Sequence, residues 1–65
     1  MKIIVNGAEH DVAAATLAEA LILLDYAGKT VATALNGCFV PIRARPSTPL
    51  AKGDKVEIIA PMQGG

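Results

Sequence analysis

Very little in these 65 residues could carry out chemistry unaided. Cys38 is the only cysteine, so no internal disulfide can form, and His10 is the only histidine, so no His–Cys cluster offers a metal site. No catalytic triad and no phosphate-cradling glycine loop can be read from the chain. Tryptophan is absent, and Tyr26 and Phe39 are the only aromatics, so the core has to be aliphatic. Basic and acidic residues number six each, and the resulting zero net charge argues against nucleic acid as a main partner, because phosphate binding needs a basic surplus. The longest apolar helix candidate, residues 17–24, falls far short of the ~20 residues that span a bilayer. The opening Met1–Asn6 run is too short for the apolar region of a signal peptide and breaks at Asn6-Gly7. These absences point to a protein that is not an enzyme, holds no permanent cofactor and resides in a reducing, cytoplasmic compartment.

What is present is aliphatic pattern. Hydrophobic residues make up 52% of the chain, enough for one small domain with a modest core. Met1 to Asn6 alternates Met1, Ile3 and Val5 against Lys2, Ile4 and Asn6, the period of a half-buried strand. Asn6-Gly7 signals a tight hairpin, with a return strand over about Glu9 to Val12. Thr16-Leu17-Ala18-Glu19 matches a capping box, in which Glu19 reaches back to the Thr16 N–H. The helix it opens runs from Leu17 to Asp25 or Tyr26, buries Leu17, Ala20, Leu21 and Leu24, and ends on a left-handed Gly28. Val31 to Asn36 reads as a third strand, and Asn36-Gly37 as a second turn. Cys38-Phe39-Val40 starts a return strand that Pro41 confines to an edge. Residues 41–50 form an irregular crossing with room for one 3₁₀ turn and with Leu50 as its plug into the core. Lys55 to Ala60 is the last strand, closed by Pro61. One helix between two pairs of strands covers one face of a mixed sheet. The expected fold is therefore α+β, a β-grasp (ubiquitin-like) domain over residues 1–60 with the first and last strands parallel at its centre.

The remaining segment, 61–65, reads as a flexible tail ending in Gly64-Gly65. Glycine lacks a Cβ, so such a tail can enter a channel too narrow for side chains and present an unhindered carboxylate there. Five extended residues reach at most about 16–18 Å, enough to place the carboxylate inside an enzyme while the body stays outside. Ordering a mobile tail costs roughly 1–2 kcal/mol per residue, so the body must compensate by docking. The outward sheet face is the expected docking surface, with Ile4 and Ile59 on adjacent central strands and Ala32 and Ala34 extending the patch. The plainer alternative makes these scattered surface residues.

Taken together, Met1-Lys2-Ile3-Ile4-Val5-Asn6-Gly7, the Thr16-Leu17 helix start, Ala34-Leu35-Asn36-Gly37, Gly53-Asp54-x-Val56-Glu57-Ile58 and Met62-Gln63-Gly64-Gly65 resemble the ThiS family, over the whole chain. These are the small sulfur carriers of thiamine thiazole synthesis. The resemblance implies that a ThiF-like, E1-type adenylating enzyme uses ATP and Mg²⁺ to activate the Gly65 carboxylate. A persulfide sulfur donor then displaces AMP, and the resulting thiocarboxylate supplies a ThiG-like thiazole synthase. Gly65 would be the modified residue, with Gly64, Gln63 and Met62 entering the partner's active site. Two alternatives stay open: a small subunit of molybdopterin synthase, whose relatives are usually longer and richer in aromatics before the tail, and a ubiquitin-like adaptor that makes no use of its end.

Other residues have plainer readings. Cys38 is taken as a small packed or surface residue and His10 as a solvated or hydrogen-bonded one, while Arg43 and Arg45 are taken as loop charges rather than contacts to an acidic partner. Residues 1–28 carry three net negative charges and residues 29–65 three net positive ones, which is either an ordinary mixed surface or a complementary face for a protein partner.

Overall fold

The computed structural model describes residues 1–60. Five strands form one sheet: β1 (Lys2–Val5), β2 (Ala8–Asp11), β3 (Ala32–Leu35), β4 (Cys38–Val40) and β5 (Lys55–Ile59). Their spatial order is β2-β1-β5-β3-β4, with β1 and β5 parallel at the centre and the other pairs antiparallel. This is the expected β-grasp arrangement. Helix α1 (Leu17–Leu23) and a 3₁₀ segment (Ile42–Ser47) complete the fold.

Alternation along the strands sorts the two faces of the sheet. Ile3, Val5, Thr33, Val40, Val56 and Ile58 point inward and are buried, together with Leu17, Ala20 and Leu21 of α1. Val12 and Val31 close the ends of this core, and Leu50 packs against it half-buried. The two Asn-Gly hairpins have both central residues at positive φ: Asn6 at 50° and Gly7 at 83°, Asn36 at 50° and Gly37 at 85°. Those values define the turn whose twist matches paired strands.

Both ends of α1 differ in detail from the sequence reading. At the start, Thr16 Oγ1 accepts the Glu19 N–H at 3.3 Å as expected, but Glu19 Oε1 accepts the Ala15 N–H at 2.7 Å rather than that of Thr16. The loop beyond the 3₁₀ segment runs alongside here, where Thr16 bridges Pro49 and Leu50 N–H donates to Ala15 C=O. At the other end the helix stops at Leu23, and the left-handed residue is Asp25 (φ 69°), not Gly28. Tyr26 N–H donates to Leu21 C=O at 2.8 Å and Asp25 N–H to Ile22 C=O at 3.1 Å. These two bonds form a Schellman closure with aspartate in the seat usually taken by glycine. Gly28 (φ 80°) belongs to the following turn.

Arg45 is the larger correction. It is no loop charge but a buried member of the 3₁₀ segment. Its Nε donates to Thr33 Oγ1 at 3.0 Å and its Nη2 to the Val31 carbonyl at 2.6 Å. Thr33 Oγ1 in turn donates to the Val40 carbonyl at 2.8 Å. One guanidinium thus ties the irregular crossing to β3 and, through Thr33, to β4. Arg43, by contrast, is exposed.

Candidate functional site

The sheet face away from α1 is the surface the strands leave free. Directly paired residues share a face. Ala32 faces Ile59 across β3–β5, Ala34 faces Glu57, and Ala34 also faces Phe39 across β3–β4. Ile59 is 61% exposed and Phe39 71% exposed. Phe39, Ala34, Ala32 and Ile59 therefore form an apolar crescent around Glu57, and it sits beside the point where the chain leaves β5.

The expected patch is divided differently. Ile4 and Ile59 do lie on adjacent strands, but the parallel register sets Ile4 beside Lys55. Ile59 is four residues further along β5, about 13 Å away at strand rise. Ile4 is half-buried in a shallow depression with Asn6, Lys55 and Glu57, on the side of Glu57 away from Ile59. Ala32, Ala34 and Ile59 belong together, whereas Ile4 stands apart. Phe39 was missed in the sequence, although its signal was present: in Cys38-Phe39-Val40, a buried Val40 forces Phe39 outward.

Met62, Gln63, Gly64 and Gly65 lie outside the described residues. Ala60, the last residue described, is exposed. Cys38 and His10 are both exposed, on the opposite edge strands β4 and β2, so they form no dyad. Among the described residues no group of three or more His, Cys, Asp or Glu is placed to hold a metal. Among the described residues, the one clear electrostatic perturbation lies elsewhere. The Met1 ammonium, 2.7 Å from Asp11 Oδ1, holds the Asp11 carboxyl below its ordinary pKa by hydrogen bonding and charge. A groove of about 350 Å³ between α1 and the 3₁₀ segment, lined by Ile22, Tyr26 and Ile42, opens on the helix side, remote from the crescent.

A mixed five-stranded sheet with one helix packed across it defines a β-grasp protein of the ubiquitin-like class. The comparisons place it within that class. The model of the ThiS family matches residues 3–65. Among solved structures, the thiamine biosynthesis protein ThiS from Geobacter metallireducens superposes with a TM-score of 0.83 at 33% sequence identity, covering 100% of both chains. No curated protein sequence matches. The chain belongs to the ThiS family, small carrier proteins of thiamine biosynthesis that work through partner enzymes. No helix among the described residues is long and apolar enough to cross a membrane.

Proposed function

We propose that this protein is a cytoplasmic sulfur carrier whose working group is the Gly65 carboxylate. The observation that carries the reading is the family match, which runs through Gly64-Gly65. A carboxylate resists nucleophiles because its charge is delocalised and oxide does not leave. Reaction with Mg-ATP on a ThiF-like partner converts it to an acyl-adenylate and releases pyrophosphate. A persulfide sulfur displaces AMP, and cleavage of the acyl disulfide by a thiol leaves –C(O)S⁻ on Gly65. That sulfur passes to a ThiG-like thiazole synthase. ATP and Mg²⁺ belong to the partner.

The body contributes docking and the tail contributes reach. Phe39, Ala34, Ala32 and Ile59 offer the partner an apolar surface, and Gly64, Gln63 and Met62 occupy its channel. Residues 61–65 act as a tail carried by the 1–60 domain.

The test is an intact mass after incubation with a ThiF-type enzyme, Mg-ATP and a persulfide source. Exchange of one oxygen for sulfur is expected, and a chain extended by one residue beyond Gly65 should fold normally and remain unmodified. No change in mass, or full modification of the extended chain, sinks the reading. Loss of the gene should create a thiamine requirement; a molybdoenzyme defect instead would reassign the carrier.

A further inference from the structure

Asn6 does more than its turn requires. The β1–β5 ladder runs from Ile4 N–H to Asp54 C=O and from Asn6 N–H to Val56 C=O, both at 2.9 Å. By the two-residue period of a strand, the next main-chain groups of β5 facing β1 belong to Ile58. The backbone of β1 is no longer there to meet them, because Asn6 and Gly7 have turned it back into β2. The Asn6 side chain takes its place. Ile58 N–H donates to Asn6 Oδ1 at 2.8 Å, and Asn6 Nδ2 donates to the Ile58 carbonyl at 3.0 Å. A carboxamide carries the same acceptor and donor as a peptide group, so it supplies the missing rung. A plain turn residue needs only tolerance of positive φ, which asparagine shares with glycine and aspartate.

Asn36 marks the contrast at the other end of the same strand. Its Oδ1 accepts the Lys55 N–H at 2.9 Å, and its Nδ2 donates to Asp54 Oδ1 at 3.1 Å. One asparagine secures the entry of β5 and the other its exit. Beyond Ile58, Ile59 pairs with Ala32 on the far side, and residue 61 follows two positions later.

We propose that Asn6 is a positioning residue for the carboxyl end: its carboxamide fixes the last rung of β5 at Ile58, so that the strand leaves the body through Ile59 and Ala60 on one heading relative to the docking crescent. The inference rests on the carrier reading above. The crescent sets how tightly the partner holds the body, and the heading sets how often the bound carboxylate meets ATP. A small misplacement of a reacting group can lower a rate by up to about 10²-fold without a change in binding. Loss of the rung should therefore lower kcat and leave KM in place.

Asn6→Gly removes the carboxamide and keeps the left-handed turn, since glycine adopts positive φ freely. Asn6→Asp keeps the acceptor but sets a carboxylate oxygen against the Ile58 carbonyl. Asn36→Gly is the control at the entry of β5. The assay is steady-state pyrophosphate release with a ThiF-type enzyme and Mg-ATP, at a temperature where melting curves show every variant folded. Amide exchange at Ile58 is followed in parallel. In both Asn6 variants kcat should fall about tenfold with KM within about twofold. Ile58 should lose protection in Asn6→Gly and keep it in Asn6→Asp, whose Oδ1 still accepts its N–H, while Asn36→Gly loses stability and keeps kcat. Unchanged kcat in both Asn6 variants overturns the proposal, and so does an equal fall in Asn36→Gly. If neither Asn6 variant folds, Asn6 is part of the structural frame and the proposal also falls. A wild-type protein that releases no pyrophosphate refutes the carrier reading itself; an active wild type with indifferent Asn6 variants refutes only the positioning role.

Discussion

Replacing Arg45 by alanine should destabilise this domain more than any surface change. Arg45 is only 9% exposed, and no carboxylate among the described residues pairs with its guanidinium. Its partners are the Val31 carbonyl at 2.6 Å and Thr33 Oγ1 at 3.0 Å. Arg45→Ala strands the Val31 carbonyl and takes one bond from Thr33, which keeps its own bond to Val40. A buried polar group left unpaired costs about 1–3 kcal/mol, and the lost bonds were charge-assisted. The buried aliphatic stem adds lost packing. A total of about 2–4 kcal/mol follows, against a whole-domain stability of about 3–10 kcal/mol at this length. At roughly 4–8 °C per kcal/mol, the melting temperature should fall by about 8–32 °C. Arg45→Lys, whose ammonium can serve one acceptor well, should lose about half as much. Thr33→Val should cost less in the Arg45→Ala background than alone, with a coupling of about 1 kcal/mol. Thermal melts followed by circular dichroism measure all four variants. An Arg45→Ala protein melting within about 4 °C of wild type would falsify the account, since it would mean that water replaces the guanidinium at no cost.

Three further outcomes are expected. Asp25→Asn should stabilise the fold by about 0.5 kcal/mol, because asparagine tolerates the left-handed seat and a carboxylate no longer faces the negative end of α1; a lower denaturation midpoint would contradict this. Phe39→Ala should leave the melting temperature nearly unchanged, because the ring is exposed, yet raise KM for the adenylating partner about tenfold; an unaltered KM would remove the crescent from the docking surface. The Asp11 carboxyl is held below its ordinary pKa, so its pairing with the Met1 ammonium contributes stability above that ordinary value and loses it as pH falls through the folded-state value. The pair is exposed, so acetylating the amino group should shift the acid limb of the stability curve only slightly, and a large shift would show a stronger coupling than the geometry supports.

The residues that announced themselves in the sequence were those whose position follows from period and turn chemistry. Ile3 and Val5, and Val56 and Ile58, recur at the two-residue period of a strand, and both Asn-Gly pairs specify tight hairpins, so the sheet and its central parallel pair were legible. Arg45 was not, because its burial depends on where an irregular crossing meets β3, and nothing local encodes that meeting. The end of α1 was misread for a related reason. Gly28 is the better left-handed residue by propensity, but the apolar stripe is exhausted after Leu24, and Asp25 takes the strained seat. Ile4 and Ile59 were assigned to the correct face and strands, while their separation needed the register of β1 against β5, which two strands distant in sequence do not state.

The sheet's two outermost strands bear on solubility. A module that displays Phe39 and Ile59 invites unwanted self-association, and a sheet margin with free backbone groups invites it further. Here β2 has only four residues, Ala8-Glu9-His10-Asp11, all exposed and two of them acidic. At the opposite margin β4 has three residues and runs directly into Pro41, which has no N–H to offer an incoming chain. Short, charged and proline-stopped borders discourage strand-to-strand stacking between copies. Such borders let the sheet expose Phe39 and Ile59 without inviting polymerisation through its flanks.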